Sequence, residues 1–189
     1  MSTKQELINA ARDLLWEVGY EAMSPALILE RSGAGKGSLY HHFDSKEDLA
    51  LASIIQVQSD LNTSAEKILN RKGSPIGRIK KFLLLERQAL MGCRLGRLVN
   101  EHAVINSCLL EPITAYFTKT QYSLEKVLLD AIEKKELQAN CDAKALSMLI
   151  LAVIQGGFVL SKANQDKTML ASVTSTLHTI INSKLKPSH

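Results

Sequence analysis

Residues 24–49, SPALILERSGAGKGSLYHHFDSKEDL, hold two helix starts and a glycine-marked turn in one short stretch. The Ser24 hydroxyl can accept a hydrogen bond from a first-turn amide and Pro25 suits the first helical position. A helix is therefore expected from there to about Arg31. Gly33 and Gly35 supply the backbone freedom of a tight turn, and a second helix of about two turns follows from Lys36 to Phe43. Leu39 and Phe43, four residues apart, define its inward face, leaving Lys36, Gly37, Ser38, His41 and His42 on the outside. Two short helices across a tight turn, the second with a polar outer face, are the pattern of a helix-turn-helix that lays its second helix in the major groove of DNA.

The pattern extends in both directions. Upstream, Leu7, Ala11, Leu14 and Val18 recur at three- and four-residue spacing and predict a supporting helix from about Thr3 to Val18. Downstream, Ser45 opens a long helix toward Arg71, with Asp48 three residues on as its capping-box partner. RKGSP at 71–75 reads as a linker. Ser74-Pro75 then opens a helix expected to reach about Leu90, where Gly92 stops it. A long helix is expected from about Cys108 to Lys135, then the apolar AKALSMLILAVIQGGFVLSKA at 143–163, and a last helix carrying Met169, Leu170, Val173, Leu177, Ile180 and Ile181. The expected fold is all-α: an N-terminal three-helix DNA-binding domain over residues 1–47, and a helical domain over 48–189.

Composition narrows the class. A chain of 189 residues with 46% hydrophobic content can bury a real core in one or two small domains. No run of about eighteen apolar residues is expected to span a bilayer, and the N-terminus MSTKQELINAARDLL reads as an amphipathic helix rather than a signal peptide. A cytoplasmic protein without membrane contact is expected. Cys93, Cys108 and Cys141 form no C-x-x-C and have no His at ligand spacing, so neither a disulfide framework nor a metal site is indicated. No nucleophile elbow, phosphate-binding glycine loop or credible acid pair is present, which argues against an enzyme, and no cofactor is implied.

Net charge is +4, yet residues 1–50 hold five Lys/Arg against eight Asp/Glu. The overall basic balance is therefore no argument for DNA binding; a few well-aimed donors have to supply it.

With those residues in view, GAGKGSLYHHFDSKEDL resembles the recognition-helix segment of the TetR family of bacterial transcriptional regulators. The match rests on Gly33, Lys36, Gly37, Ser38, Leu39, Tyr40, His42, Phe43, Ser45, Lys46, Glu47 and Leu49. Leu7, Ala11, Leu14, Leu15, Val18 and Gly19-Tyr20 are similar to the family's first helix, and MGCRLGRLVNEHA to the start of its middle helices. Departures are Ala34 where Val is common, Gly35 where Ser or Thr caps, and an apolar first reader helix through Leu27 and Leu29. The resemblance implies a regulator, most often a repressor, that leaves its operator when a small-molecule effector binds.

Roles follow by position. Lys36, Ser38 and His41 are candidates for base-edge contacts, with Lys36 placed for guanine, and Gly37 allows close backbone approach. Ser24, Tyr40, His42 and Lys46 are candidate phosphate anchors, Lys46 helped by free amides of a helix start. The alternative has each histidine merely solvated and Tyr40 in the core. Phe82, His102, Tyr116, Phe117 and Phe158 are a loose set of effector-pocket candidates, or simply core. Leu146, Leu149, Ile150, Val153, Ile154, Phe158 and Leu160 surround so much of one helix that a partner surface is expected. The resemblance implies a homodimer through the last two helices, on double-stranded operator DNA that is then palindromic. Gly156-Gly157 would admit a close helix.

Cys93 follows Gly92 and lies near Arg94 and Arg97, cations of the kind that favour a reactive thiolate. A thiol- or electrophile-sensing repressor is accordingly an alternative function, against the simpler reading of a small buried hydrophobe. A constitutive DNA-binding protein without an effector is a third possibility.

Overall fold

A computed structural model describes residues 2–184, which form nine α-helices and no strand. They fall into two compact units, one of residues 2–61 with 93–116 and one of residues 62–92 with 117–184.

In the first unit, α1 (Thr3–Glu17) is capped by Ser2 and buries Leu7, Ile8, Ala11, Leu14 and Leu15. It packs on α2 (Pro25–Ser32) and α3 (Lys36–His42). The Ser24 hydroxyl accepts from the Leu27 amide at 3.3 Å. Gly33 closes α2 at φ +68, a left-handed conformation in which a side chain is strained. The long α4 (Lys46–Leu69) starts from Ser45, whose hydroxyl accepts from the Asp48 amide at 3.0 Å. The reciprocal half of the expected capping box is displaced by one residue: the Asp48 carboxylate accepts from the Asp44 amide, at 3.3 Å. A 3₁₀ turn (Leu98–Asn100), the short α6 (His102–Ile105) and the start of α7 (Leu110–Glu133) complete this unit.

In the second unit, α5 (Pro75–Leu83) ends well short of the expected Leu90. The reason is Arg87, whose guanidinium folds back to donate to the carbonyls of Phe82 at 2.8 Å, Leu83 at 3.3 Å and Leu85 at 2.8 Å. Those carbonyls are thereby satisfied without another helical turn. The ends of α4 and α7, α8 (Ala143–Asn164) and α9 (Thr168–Lys184) supply the rest. Contrary to expectation, α8 is by length and composition apolar enough to cross a membrane. Its buried stripe of Leu146, Ile150, Ile154, Gly157 and Phe158 includes the face packed on α9, so much of its apolar character serves helix packing.

The two adjacent glycines of α8 differ in their surroundings. A Cβ on Gly157 would lie 2.6 Å from Leu170 Cδ1 and 3.2 Å from the Leu170 Cα, whereas one on Gly156 meets nothing within 4 Å. The close approach expected at this pair is therefore made by α9 of the same chain, at Gly157. Gly157→Ala should lower stability by about 1–3 kcal/mol through overpacking, while Gly156→Ala should raise it by up to about 1 kcal/mol through helix propensity. Denaturant unfolding of the two variants checks both signs.

Candidate nucleic-acid interface

Helix α3 presents two contrasting faces. Leu39 and Phe43 are buried beneath it, while Lys36, Gly37, Tyr40 and His41 are exposed and Ser38 and His42 half-buried. Tyr40, 52% exposed, is not a core residue. Ser24 opens α2; because its oxygen accepts the capping bond, its own O–H is left to donate. The eight expected contact residues thus occur on α3 and at the starts of α2 and α4. The imidazoles of His41 and His42 lie 4.9 Å apart, tilted by 60°.

Glycine is not required on α3 by the chain's own packing. A Cβ on Gly35 or Gly37 would meet nothing within 4 Å, and Gly35 starts the helix with no side-chain cap.

Lys46 is more constrained than the sequence indicated. Its ammonium donates to the Tyr20 carbonyl at 3.1 Å and sits 4.2 Å from the centre of the Tyr20 ring. It therefore ties α4 to the turn after α1, and one bond leaves two N–H donors for a phosphate. Burial, together with the nearby Glu47 and Cys108, pushes the Tyr20 phenol above its ordinary range.

The segment after residue 93 is fastened to the same turn. Glu101 accepts from the Glu21 amide at 2.7 Å, and Glu21 accepts from the Ala103 amide at 3.1 Å. Gly19, at φ +92, leaves room for the Glu101 carboxylate. Arg97 donates to the Trp16 carbonyl, and the Arg94 guanidinium stacks 3.8 Å from the Trp16 ring. The sequence signals the break after α1 at Gly19 but not these long-range bonds.

These contacts also bear on Cys93, since the two guanidiniums expected to act on it are engaged with Trp16. Its sulfur accepts from the Gly96 amide at 3.2 Å within a half-buried turn. The exposed thiol is Cys108, which donates to Glu47 Oε1 at 3.3 Å. That bond is the main cause holding the Cys108 thiol above the usual range.

The effector-pocket candidates do not form one group within a unit. His102, exposed, and Tyr116 belong to the first; Phe82, Phe117 and Phe158 belong to the second. A solvent-open groove of about 400 Å³ in the second unit is lined instead by residues including Leu69, Arg78, Lys119, Tyr122 and Lys126. Its charges are largely paired internally: Lys119 with Glu66 at 2.7 Å, and Arg78 with Asp130.

Comparison with known proteins extends this picture. The profile described as "Bacterial regulatory proteins, tetR family" matches residues 7–53. The profile described as "Transcriptional regulator LmrA/YxaF-like, C-terminal domain" matches residues 79–176. The HTH-type transcriptional regulator in the lacX 3'region of Lactococcus lactis subsp. lactis is 29% identical over 178 residues, covering 90% of this chain and 89% of the relative. The HTH-type transcriptional regulator YxaF of Bacillus subtilis is 27% identical over 189 residues, covering 96% of each. The crystal structure of a TetR transcriptional regulator from Chloroflexus aurantiacus shares the fold, with a TM-score of 0.89 at 24% identity over 98% of this chain and 97% of that one.

Two predictions follow from the geometry. Gly37→Ala should raise the melting temperature, because alanine favours the helix by about 1 kcal/mol, and at the same time weaken duplex binding by crowding the groove. Calorimetric melting and a binding titration read the opposite signs. Glu47→Gln should speed alkylation of Cys108 by iodoacetamide at neutral pH: removing the carboxylate lowers the thiol back toward its ordinary range and raises its thiolate fraction. Peptide mass spectrometry follows the rate.

Proposed function

Because the chain belongs to the TetR family of bacterial transcriptional regulators, we propose that it is a sequence-specific repressor that binds a palindromic operator as a homodimer and is released by a small-molecule effector. The observation that carries this reading is α3: a short helix seated on buried Leu39 and Phe43, with Lys36, Gly37, Tyr40 and His41 outward. Lys36 is the base-reading cation; Ser24, Tyr40 and Lys46 anchor phosphates and set the register.

Dimerisation is assigned to α8 and α9. On these helices Met148, Leu149, Val159, Leu160 and Ile180 are exposed, Val159 by 68%. Such a row favours helix–helix burial. Two readers then address half-sites about one helical turn, ~34 Å, apart. The effector is assigned to the helical second unit, which holds the buried Phe82 and Phe158 and the half-buried Phe117. To move the dimer from mostly bound to mostly released it must favour the released arrangement by about 5 kcal/mol. A repressor of this kind works in the cytoplasm, where its operator lies.

Selection of duplexes from a random library by the purified chain tests the reading. A palindromic winner is expected, and Lys36→Ala should lose discrimination at the guanine it contacts by about 1–3 kcal/mol while keeping non-specific binding. Absence of any enriched sequence, with and without cell-extract small molecules, would count against it.

A further inference from the structure

The charge inventory of the first unit raises a problem for a protein that binds a polyanion. Its residues include seven Lys/Arg against eleven Asp/Glu, and most of the cations are already committed. Arg12 pairs with Asp60 at 2.7 Å, and Arg31 grips Glu17 through both nitrogens at 3.0 and 2.7 Å. Arg94 stacks on Trp16, and Arg97 donates to the Trp16 carbonyl. Lys46 is held by Tyr20, and Lys4 lies 5.5 Å from the Phe43 ring. Among the described residues of this unit, Lys36 is the one Lys or Arg with no intramolecular partner shown.

An acidic reader that offers phosphate only Lys36 and the two remaining N–H donors of Lys46 gains from further positive charge where it meets the backbone. The side chains placed to provide it are the two imidazoles in the last turn of α3, His41 exposed and His42 half-buried. Histidine is the side chain that gains charge between pH 5 and 8 in response to its surroundings. Resting on the reading of α3 as the DNA reader, we propose that duplex binding is coupled to proton uptake: His41 and His42 enter the complex as imidazolium cations, the neutral fraction of each taking its proton from solvent, so affinity rises as pH falls through neutrality.

The groups around the pair support this direction. On α3 itself Lys36 and Tyr40 are the other titratable side chains. From α1 the nearest shown charge is Lys4, over the Phe43 ring. From α2 come the exposed Glu30 and the paired Arg31. At the α3–α4 corner, Asp48 accepts from the Asp44 amide, Glu47 accepts from the Cys108 thiol and Lys46 is directed to Tyr20. Among the described residues of this unit, each of the four arginines already has an internal partner. A phosphate beside an imidazole favours its cation, so protons are taken up on association and lost affinity accompanies rising pH.

The test is a fluorescence-anisotropy titration of the library-selected duplex between about pH 6 and pH 8 at constant ionic strength, with the parent, H41Q, H42Q and the double variant. The parent should lose affinity by up to about tenfold for each histidine whose pKa rises by one unit in the complex, each single variant should retain part of that slope, and the double variant should be flat. Calorimetric titration of the parent near pH 7 in phosphate and in Tris reads the protons directly, whatever the variants' folding. Equal observed heats in the two buffers, a pH-independent parent affinity, or a double variant with the parent's slope would overturn the proposal. Tight but pH-independent binding would do so while leaving the DNA reader intact. Failure to bind any duplex across the range would instead reject the reader itself.

Discussion

A helix of seven residues does not hold itself together in water, where isolated helices shorter than about 12–15 residues are marginal. Helix α3 is seven residues long and begins at an uncapped glycine, so its existence depends on docking. Leu39 and Phe43 provide that docking, joined in the first unit's core by Leu7, Ala11, Leu14, Ile28 and Leu49. The same burial sets the rotation of α3, because a residue pair at i and i+4 leaves one choice of outward face. Everything assigned to Lys36, Gly37, Ser38, Tyr40, His41 and His42 is a consequence of that rotation.

Electrostatics then works within a narrow margin. The first unit spends its arginines on internal structure: Arg12 and Arg31 on carboxylates, Arg94 and Arg97 on Trp16. The exposed pairs contribute little each in water, but they occupy guanidiniums that an acidic domain would otherwise offer to phosphate. In the proposed reading, few cations remain for phosphate beside Lys36 and Lys46, and the protonation of two adjacent histidines is then consequential. The Glu21 and Glu101 carboxylates, each bonded to a backbone amide of the other's segment, fasten residues 93–116 to the turn that also holds Lys46.

Much of this was legible in sequence, for physical reasons. Ser24-Pro25 and Gly33 mark helix ends through backbone chemistry that depends only on local residue type, and α2 and α3 fall within a residue or so of where those signals placed them. Long-range side-chain bonds were not legible. The end of α5 at Leu83 depends on Arg87 turning back onto three carbonyls, which no periodicity records. The engagement of Lys46 with Tyr20 joins positions 26 apart in the chain. The aromatic pocket candidates rest on residue type alone, and residue type cannot place His102 and Phe82 in the same unit or in different ones. Helix α8 was underrated as an apolar segment because Ser147, Gln155 and Ser161 interrupt its run without much reducing its average.

The most direct test of the account is dimethyl sulfate footprinting of the protein on its selected duplex, which reports whether guanine N7 atoms are covered in the major groove. If α3 is seated there by Leu39 and Phe43, guanines should be protected in two patches about one helical turn apart. Tight binding that leaves every guanine N7 open to methylation would show that another surface of the protein holds the DNA, and would contradict the assignment of α3.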